Sequence, residues 1–152
     1  MQPLLGLHAR LVCARQKRRD AQDERSQWPQ WFLLAGLRKR EAWSHPDPAG
    51  LTPLWPPVDT FWADPFAWSR GGRRFIFLEE YPFHTQRGRI SVLELGADLM
   101  PLGPALAVLD EDRHLSYPFL FRFEDEIYMV PESAASRRGG TTRPTPRRPT
   151  SF

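Results

Sequence analysis

From Trp28 onward the apolar residues fall into short runs broken by Gly, Pro and acidic turns, which is a strand pattern rather than a helical one. Gln30-Trp-Phe-Leu-Leu-Ala35, bounded by Pro29 and Gly36, predicts a buried strand. Arg38 to Pro57 holds Pro46, Pro48, Pro53, Pro56 and Pro57 and predicts a loop or linker, because proline cannot donate to a sheet interior. Trp43 and Trp55 within it suggest a loop pinned to a surface, since exposed indoles in a flexible linker are costly. Pro65 to Trp68, the turn Ser69-Arg-Gly-Gly72 and Arg74 to Leu78 then predict a tight hairpin. Phe75 and Phe77 on one side and Ile76 and Leu78 on the other make its second strand apolar on both faces, as a strand between two packed layers must be. Arg89 to Leu95 and Ala105 to Leu109 supply a third and a fourth strand.

The hairpin returns. Pro65-Phe66 recurs as Pro118-Phe119, a step of 53 residues, and Tyr117 to Phe123, a turn at Glu124 to Glu126, and Ile127 to Val130 repeat the strand–turn–strand order. With one gap placed in the turn, Phe75-Ile-Phe-Leu-Glu-Glu80 superposes on Ile127-Tyr-Met-Val-Pro-Glu132. A recurrence of about 50 residues in an all-strand pattern is the period of a β-propeller blade. The expectation is therefore all-β: an incomplete β-propeller of about one and a half four-stranded antiparallel blades. It occupies residues 28–133, between a basic leader, 1–27, and an Arg/Pro/Thr-rich tail, 134–152.

The two ends carry the basic character. The net charge of +3 conceals a middle, residues 61–133, with seven Arg against twelve acids, so the folding part is acidic and nucleic acid is a poor partner for it. In the leader, Leu4, Leu5, Leu7, Leu11 and Val12 before a charged run are compatible with partial helix, a solvated leader being the plainer alternative. The tail is expected to bury too little to order itself, and the change after Ser133 resembles a truncated or frame-shifted reading of a longer propeller gene. Open blade faces would then favour self-association. One cysteine, Cys13, excludes an internal disulfide. Neither a signal peptide nor an apolar membrane span is recognisable, so a cytoplasmic protein is expected. Scattered histidines give no zinc spacing, and no phosphate-binding glycine motif occurs, so neither metal nor cofactor is expected.

Phe61-Trp-Ala-Asp-Pro-Phe, Phe77-Leu-Glu-Glu-Tyr-Pro, Gly88-Arg-Ile-Ser-Val and His114-Leu-Ser-Tyr-Pro-Phe with Ile127-Tyr-Met-Val-Pro-Glu-Ser133 resemble one family. It is the N-terminal domain of plant glucosamine inositolphosphorylceramide transferases and their bacterial relatives, a domain similar to the five-bladed propeller of arabinanase-type glycosidases. The resemblance covers roughly Trp28 to Ser133 and implies glycan or glycolipid biosynthesis. The transfer chemistry of those enzymes belongs to a separate C-terminal domain, so the chain is expected to be a non-catalytic recognition or scaffolding module, with carbohydrate or glycolipid as its partner. The alternative is a remnant of a propeller glycoside hydrolase. In the arabinanase type an Asp-Pro aspartate is the general base, and Asp64-Pro65 matches that pair.

Antiparallel strands that begin and end at one rim should make Asp64 a neighbour of Glu80, and Tyr117 a neighbour of Glu132. Hydrolysis needs a second carboxylate, for which Glu79, Glu80 and Glu132 are candidates. The softer expectation is a sugar-binding rim of Asp64, Glu80, His114, Tyr117 and Glu132. Against both stands the ordinary use of Asp before Pro as a turn residue and of Glu as a solvated strand end.

Overall fold

The computed structural model describes residues 7–13, 31–37 and 50–134, the first of these as backbone. The described residues form three antiparallel sheets. The first has the order β1-β2-β3, from Leu7–Cys13, Trp31–Leu37 and Thr52–Leu54. The second is a four-stranded meander of β4 (Thr60–Arg70), β5 (Arg73–Pro82), β6 (Arg89–Leu95) and β7 (Leu106–Leu109). The third pairs β8 (His114–Phe123) with β9 (Glu126–Ala134). The described residues contain no α-helix, and the arrangement is an incomplete, propeller-like all-β fold.

Two segments differ from the sequence reading. The leader, read as open to helix, contributes β1 instead; Leu7, Ala9, Leu11 and Cys13 alternate with His8, Arg10 and Val12, a period of two that fits a strand completing the edge of β2. The proline-rich segment supplies β3, with Pro53 opposite Leu34. That strand lies at the sheet edge, where a missing N–H costs no ladder bond. Trp55 just beyond it stacks on Phe32 at 4.1 Å, which pins this part of the loop as expected, whereas Trp43 lies outside the described residues.

The four-stranded sheet is covered on both faces. Leu33, Ala35 and Leu54 of the first sheet join Trp62, Ile76, Leu78, Leu93 and Leu95 in one buried cluster. Ile76 and Leu78 are fully enclosed, and each such side chain contributes roughly 1.5–3 kcal/mol. Across the opposite face runs β8, in contact with β4, β5 and β6; Leu115, Pro118 and Leu120 are its buried positions, and Phe119 meets Phe66 edge-on at 5.7 Å. A central strand apolar on both sides is what this sandwich requires, as the pattern of β5 implied.

The hairpin repeat is present in the backbone. Ala63 pairs with Glu79 and Phe66 with Phe77, so Asp64 and Pro65 together oppose one residue, and β4 carries a β-bulge there. Ser116 pairs with Glu132 and Phe119 with Val130, which places the same bulge at Tyr117 and Pro118. Asp64 and Tyr117 share a left-handed backbone, φ 46° and 47°. Both hairpins close with two-residue turns, Gly71-Gly72 between Arg70 and Arg73, and Glu124-Asp125 between Phe123 and Glu126. Gly71 and Gly72 have φ of 58° and 80°, the pair of positive angles that suits the twist of a two-residue hairpin. The repeat therefore keeps one spacing throughout and needs no gap in its turn: Glu132 is the counterpart of Glu79, and Ser133 that of Glu80.

Candidate functional site

The bulge decides which side chains meet at the rim. Adding a residue to β4 resets the alternation of faces, and the acid that meets Asp64 is Glu79 rather than the expected Glu80. Glu79 is 5% exposed and its carboxyl hydrogen-bonds to Asp64. Burial, and then the Asp64 charge and hydrogen bond, push Glu79 up to about 8, so near neutral pH it keeps its proton and donates it to the Asp64 carboxylate. Two carboxyls sharing one proton act as a unit. Among the described residues neither has an arginine partner.

His114, at the start of β8, closes this corner from the second hairpin. Its Nε2 lies 3.3 Å from Glu79 Oε1, while Nδ1 accepts the Gly88 N–H at 3.0 Å. A nitrogen that accepts carries no proton, so the ring proton sits on Nε2, the nitrogen near Glu79. The Leu115 N–H in turn donates to the Gly88 carbonyl at 2.9 Å. Gly88 is tightly enclosed: a Cβ there would stand 2.5 Å from the Leu115 carbonyl oxygen and 2.7 Å from Glu79 Oε1. Only glycine lets the loop before β6 approach β8 this closely.

Tyr81, two residues after Glu79 on the same face, completes the corner. Its ring stacks on Phe61 at 4.6 Å and lies 5.9 Å from the His114 ring. Burial and the neighbouring Glu79 raise the phenol above its ordinary range. Gly88 and Tyr81 stand within the motifs of the family resemblance but not among the candidate site residues. The two-residue step from Glu79 to Tyr81 was a usable signal, but the partnership of Gly88 with His114 spans two hairpins and leaves no local trace.

The remaining candidates fall elsewhere. Glu80 pairs across the strands with Trp62, and its Oε2 accepts from Ser91 Oγ at 2.6 Å and from Arg89 Nε at 2.9 Å. Arg89 reaches on to Asp110 at 3.5 Å, and Arg87 joins the same carboxylate at 3.1 Å. Glu80 thus anchors a network that ties β5 to β6 and the chain beyond β7. Tyr117 stands at the second bulge, the position that Asp64 takes in the first, and is exposed. Glu132, opposite Ser116, is exposed as well. The structure thus unites Asp64 with Glu79 and His114, sets Tyr117 and Glu132 at the matching corner of the second hairpin, and commits Glu80 to an internal ion pair. Among the described residues no group of three or more His, Cys, Asp or Glu is placed to hold a metal ion, and no helix is long and apolar enough to cross a membrane.

The described residues form an all-β, propeller-like fold in which a repeated hairpin brings Asp64 and Glu79 together. The family model described as glucosamine inositolphosphorylceramide transferase 1, N-terminal, matches residues 55–141, more than half of the chain, and the chain belongs to that family. It is 36% identical over 117 residues to glucosamine inositolphosphorylceramide transferase 1 of Arabidopsis thaliana, a match covering 67% of this chain and 15% of that protein. It is 48% identical over 75 residues to the proteins of the same name in Oryza sativa subsp. indica and subsp. japonica, covering 47% of this chain and 10% of each. The chain therefore spans only 10–15% of the length of these curated relatives. No solved structure matches it.

Proposed function

We propose that the chain is a propeller-type recognition module of a glycan or glycolipid glycosyltransferase system, and that the Asp64–Glu79 corner holds a carbohydrate. Membership of a family named for the N-terminal part of a glucosamine inositolphosphorylceramide transferase supports the substrate class. The observation that carries the site is the pairing of the buried Glu79 carboxyl with the half-buried Asp64, beside the stacked Phe61 and Tyr81 rings. Carboxyl oxygens accept from sugar hydroxyls, and an aromatic pair offers an apolar surface to the C–H face of a pyranose.

The same geometry favours binding over hydrolysis with Asp64 as general base. Carboxyls that serve a glycosidase stand about 5–5.5 Å apart for retention and about 6.5–9.5 Å for inversion. Asp64 and Glu79 are in hydrogen-bond contact, closer than either of those spacings. Glu80, the other nearby acid, is held by Arg89 and Ser91.

Titration of the isotopically labelled full chain with glucosamine, inositol phosphate and short oligosaccharides, followed by amide NMR, tests the proposal. Shifts centred on Asp64, Glu79, Tyr81 and Gly88 are expected with at least one of them. Asp64→Asn, which removes the charge but keeps the shape, should weaken binding about tenfold, the effect of one charge-assisted hydrogen bond. Shifts confined to other regions, or none with any sugar, would contradict the assignment.

A further inference from the structure

We propose that the His114–Gly88 contact is an acid-sensitive joint between the two repeats, in which protonation of the imidazole releases the loop before β6 from the start of β8. The joint has two bonds that depend on each other. The Gly88 N–H donates to His114 Nδ1 at 3.0 Å, and the Gly88 carbonyl receives the Leu115 N–H at 2.9 Å. One residue of the first repeat is thus held through its donor and its acceptor by two consecutive residues of the second. The fit around Gly88 is close enough that no side chain could stand there.

An imidazolium bears a proton on each nitrogen. A proton on Nδ1 would face the Gly88 N–H along a 3.0 Å line, turning an acceptor into a second donor, so the bond is lost rather than weakened.

The groups around the ring do not compensate. From β5, Glu79 faces Nε2 and Tyr81 lies beside the ring. Burial and Asp64 of β4 push Glu79 up to about 8, so it faces the neutral ring as a protonated carboxyl. On the loop side, Arg87 and Arg89 flank Gly88 and pair with Asp110 and Glu80. Next to His114 itself, Arg113 pairs with Glu111 at 2.6 Å. Of the acids near the joint, Glu80, Asp110 and Glu111 are taken by arginine, and Glu79 meets Asp64. Acid opens the joint, and neutral pH closes it.

The test is amide hydrogen exchange of the full chain, corrected for the intrinsic effect of pH, at about pH 8 and about pH 5, either side of the range in which histidine titrates. Gly88 and Leu115 should lose about tenfold in protection at the lower pH, the equivalent of one hydrogen bond, while the Ile76 amide in the core is unchanged. His114→Gln offers an amide oxygen to Gly88 and an N–H to Glu79 but does not titrate, so it should hold its protection at both values. Unchanged protection in the wild type, or an equal loss in His114→Gln, would overturn the joint. Nitrogen NMR of the wild-type imidazole gives a second reading that needs no variant: a proton on Nε2 alone at neutral pH is expected, and a proton on Nδ1 there would overturn the proposal.

Discussion

The β4–β5 and β8–β9 hairpins have one backbone and two surroundings. Both carry a bulge that contains a proline and a residue at positive φ, and both close with a two-residue turn. Yet the first hairpin is enclosed by sheets on both faces, whereas the second leaves Phe119, Phe121, Phe123 and Val130 exposed at 47%, 37%, 57% and 56%. The matching acids diverge accordingly. Glu79 is buried and protonated against Asp64, while Glu132 stands in solvent at the equivalent place. The lesson is that the repeat specifies the shape of the rim corner, and what packs around that corner specifies its chemistry.

The largest expected contrast lies in the cores. Leu78→Ala removes a fully enclosed side chain and should cost about 2–5 kcal/mol in denaturant unfolding. Val130→Ala in the second hairpin should cost under about 1 kcal/mol, since half of that side chain is in water. Equal losses would mean that the open face is covered in solution.

The acids give the next contrast, and it depends on pH. Glu79 holds its proton up to about 8 in the folded chain but gives it up near its ordinary 4.5 when unfolded. Between those values the folded state binds more protons, so the wild type loses stability as pH rises through that window and keeps it at the acid end. Glu79→Gln keeps a donor toward Asp64 without a proton to lose. It should stabilise the chain by on the order of 2–4 kcal/mol at pH 7, with the gain fading as pH falls toward 4.5. Glu132→Gln should change little at any pH. Thermal melts of both variants across pH separate the two corners.

Gly88→Ala forces a methyl against the Leu115 carbonyl and should cost about 1–3 kcal/mol, read by urea unfolding. The smallest effect concerns the bulges. An aromatic residue tolerates positive φ poorly, so Tyr117→Asn should stabilise the chain slightly, by up to about 1 kcal/mol in urea unfolding, whereas Asp64→Asn exchanges two residues that both accept that conformation.

Much of this was legible in the chain. Pro65-Phe66 and Pro118-Phe119 declared the repeat, Gly71-Gly72 its turn, and the two-sided apolar pattern of Phe75 to Leu78 its burial between layers. Other features were not. An extra residue in a strand leaves no mark on composition, so the bulge, and with it the choice of Glu79 over Glu80, required the register. The alternation from Leu7 to Cys13 was present but masked by leucines that also suit a helix. The bond from Gly88 to His114 joins residues of different repeats, and no local pattern encodes it.

The central claim is that both hairpins share one register, so that Glu79 and Glu132 occupy one place in the repeat. Cross-strand backbone nuclear Overhauser effects test it directly. Contacts of Phe66 with Phe77 and of Phe119 with Val130 are predicted. Phe119 opposite Met129 or Pro131 would shift the second hairpin by one residue and contradict it.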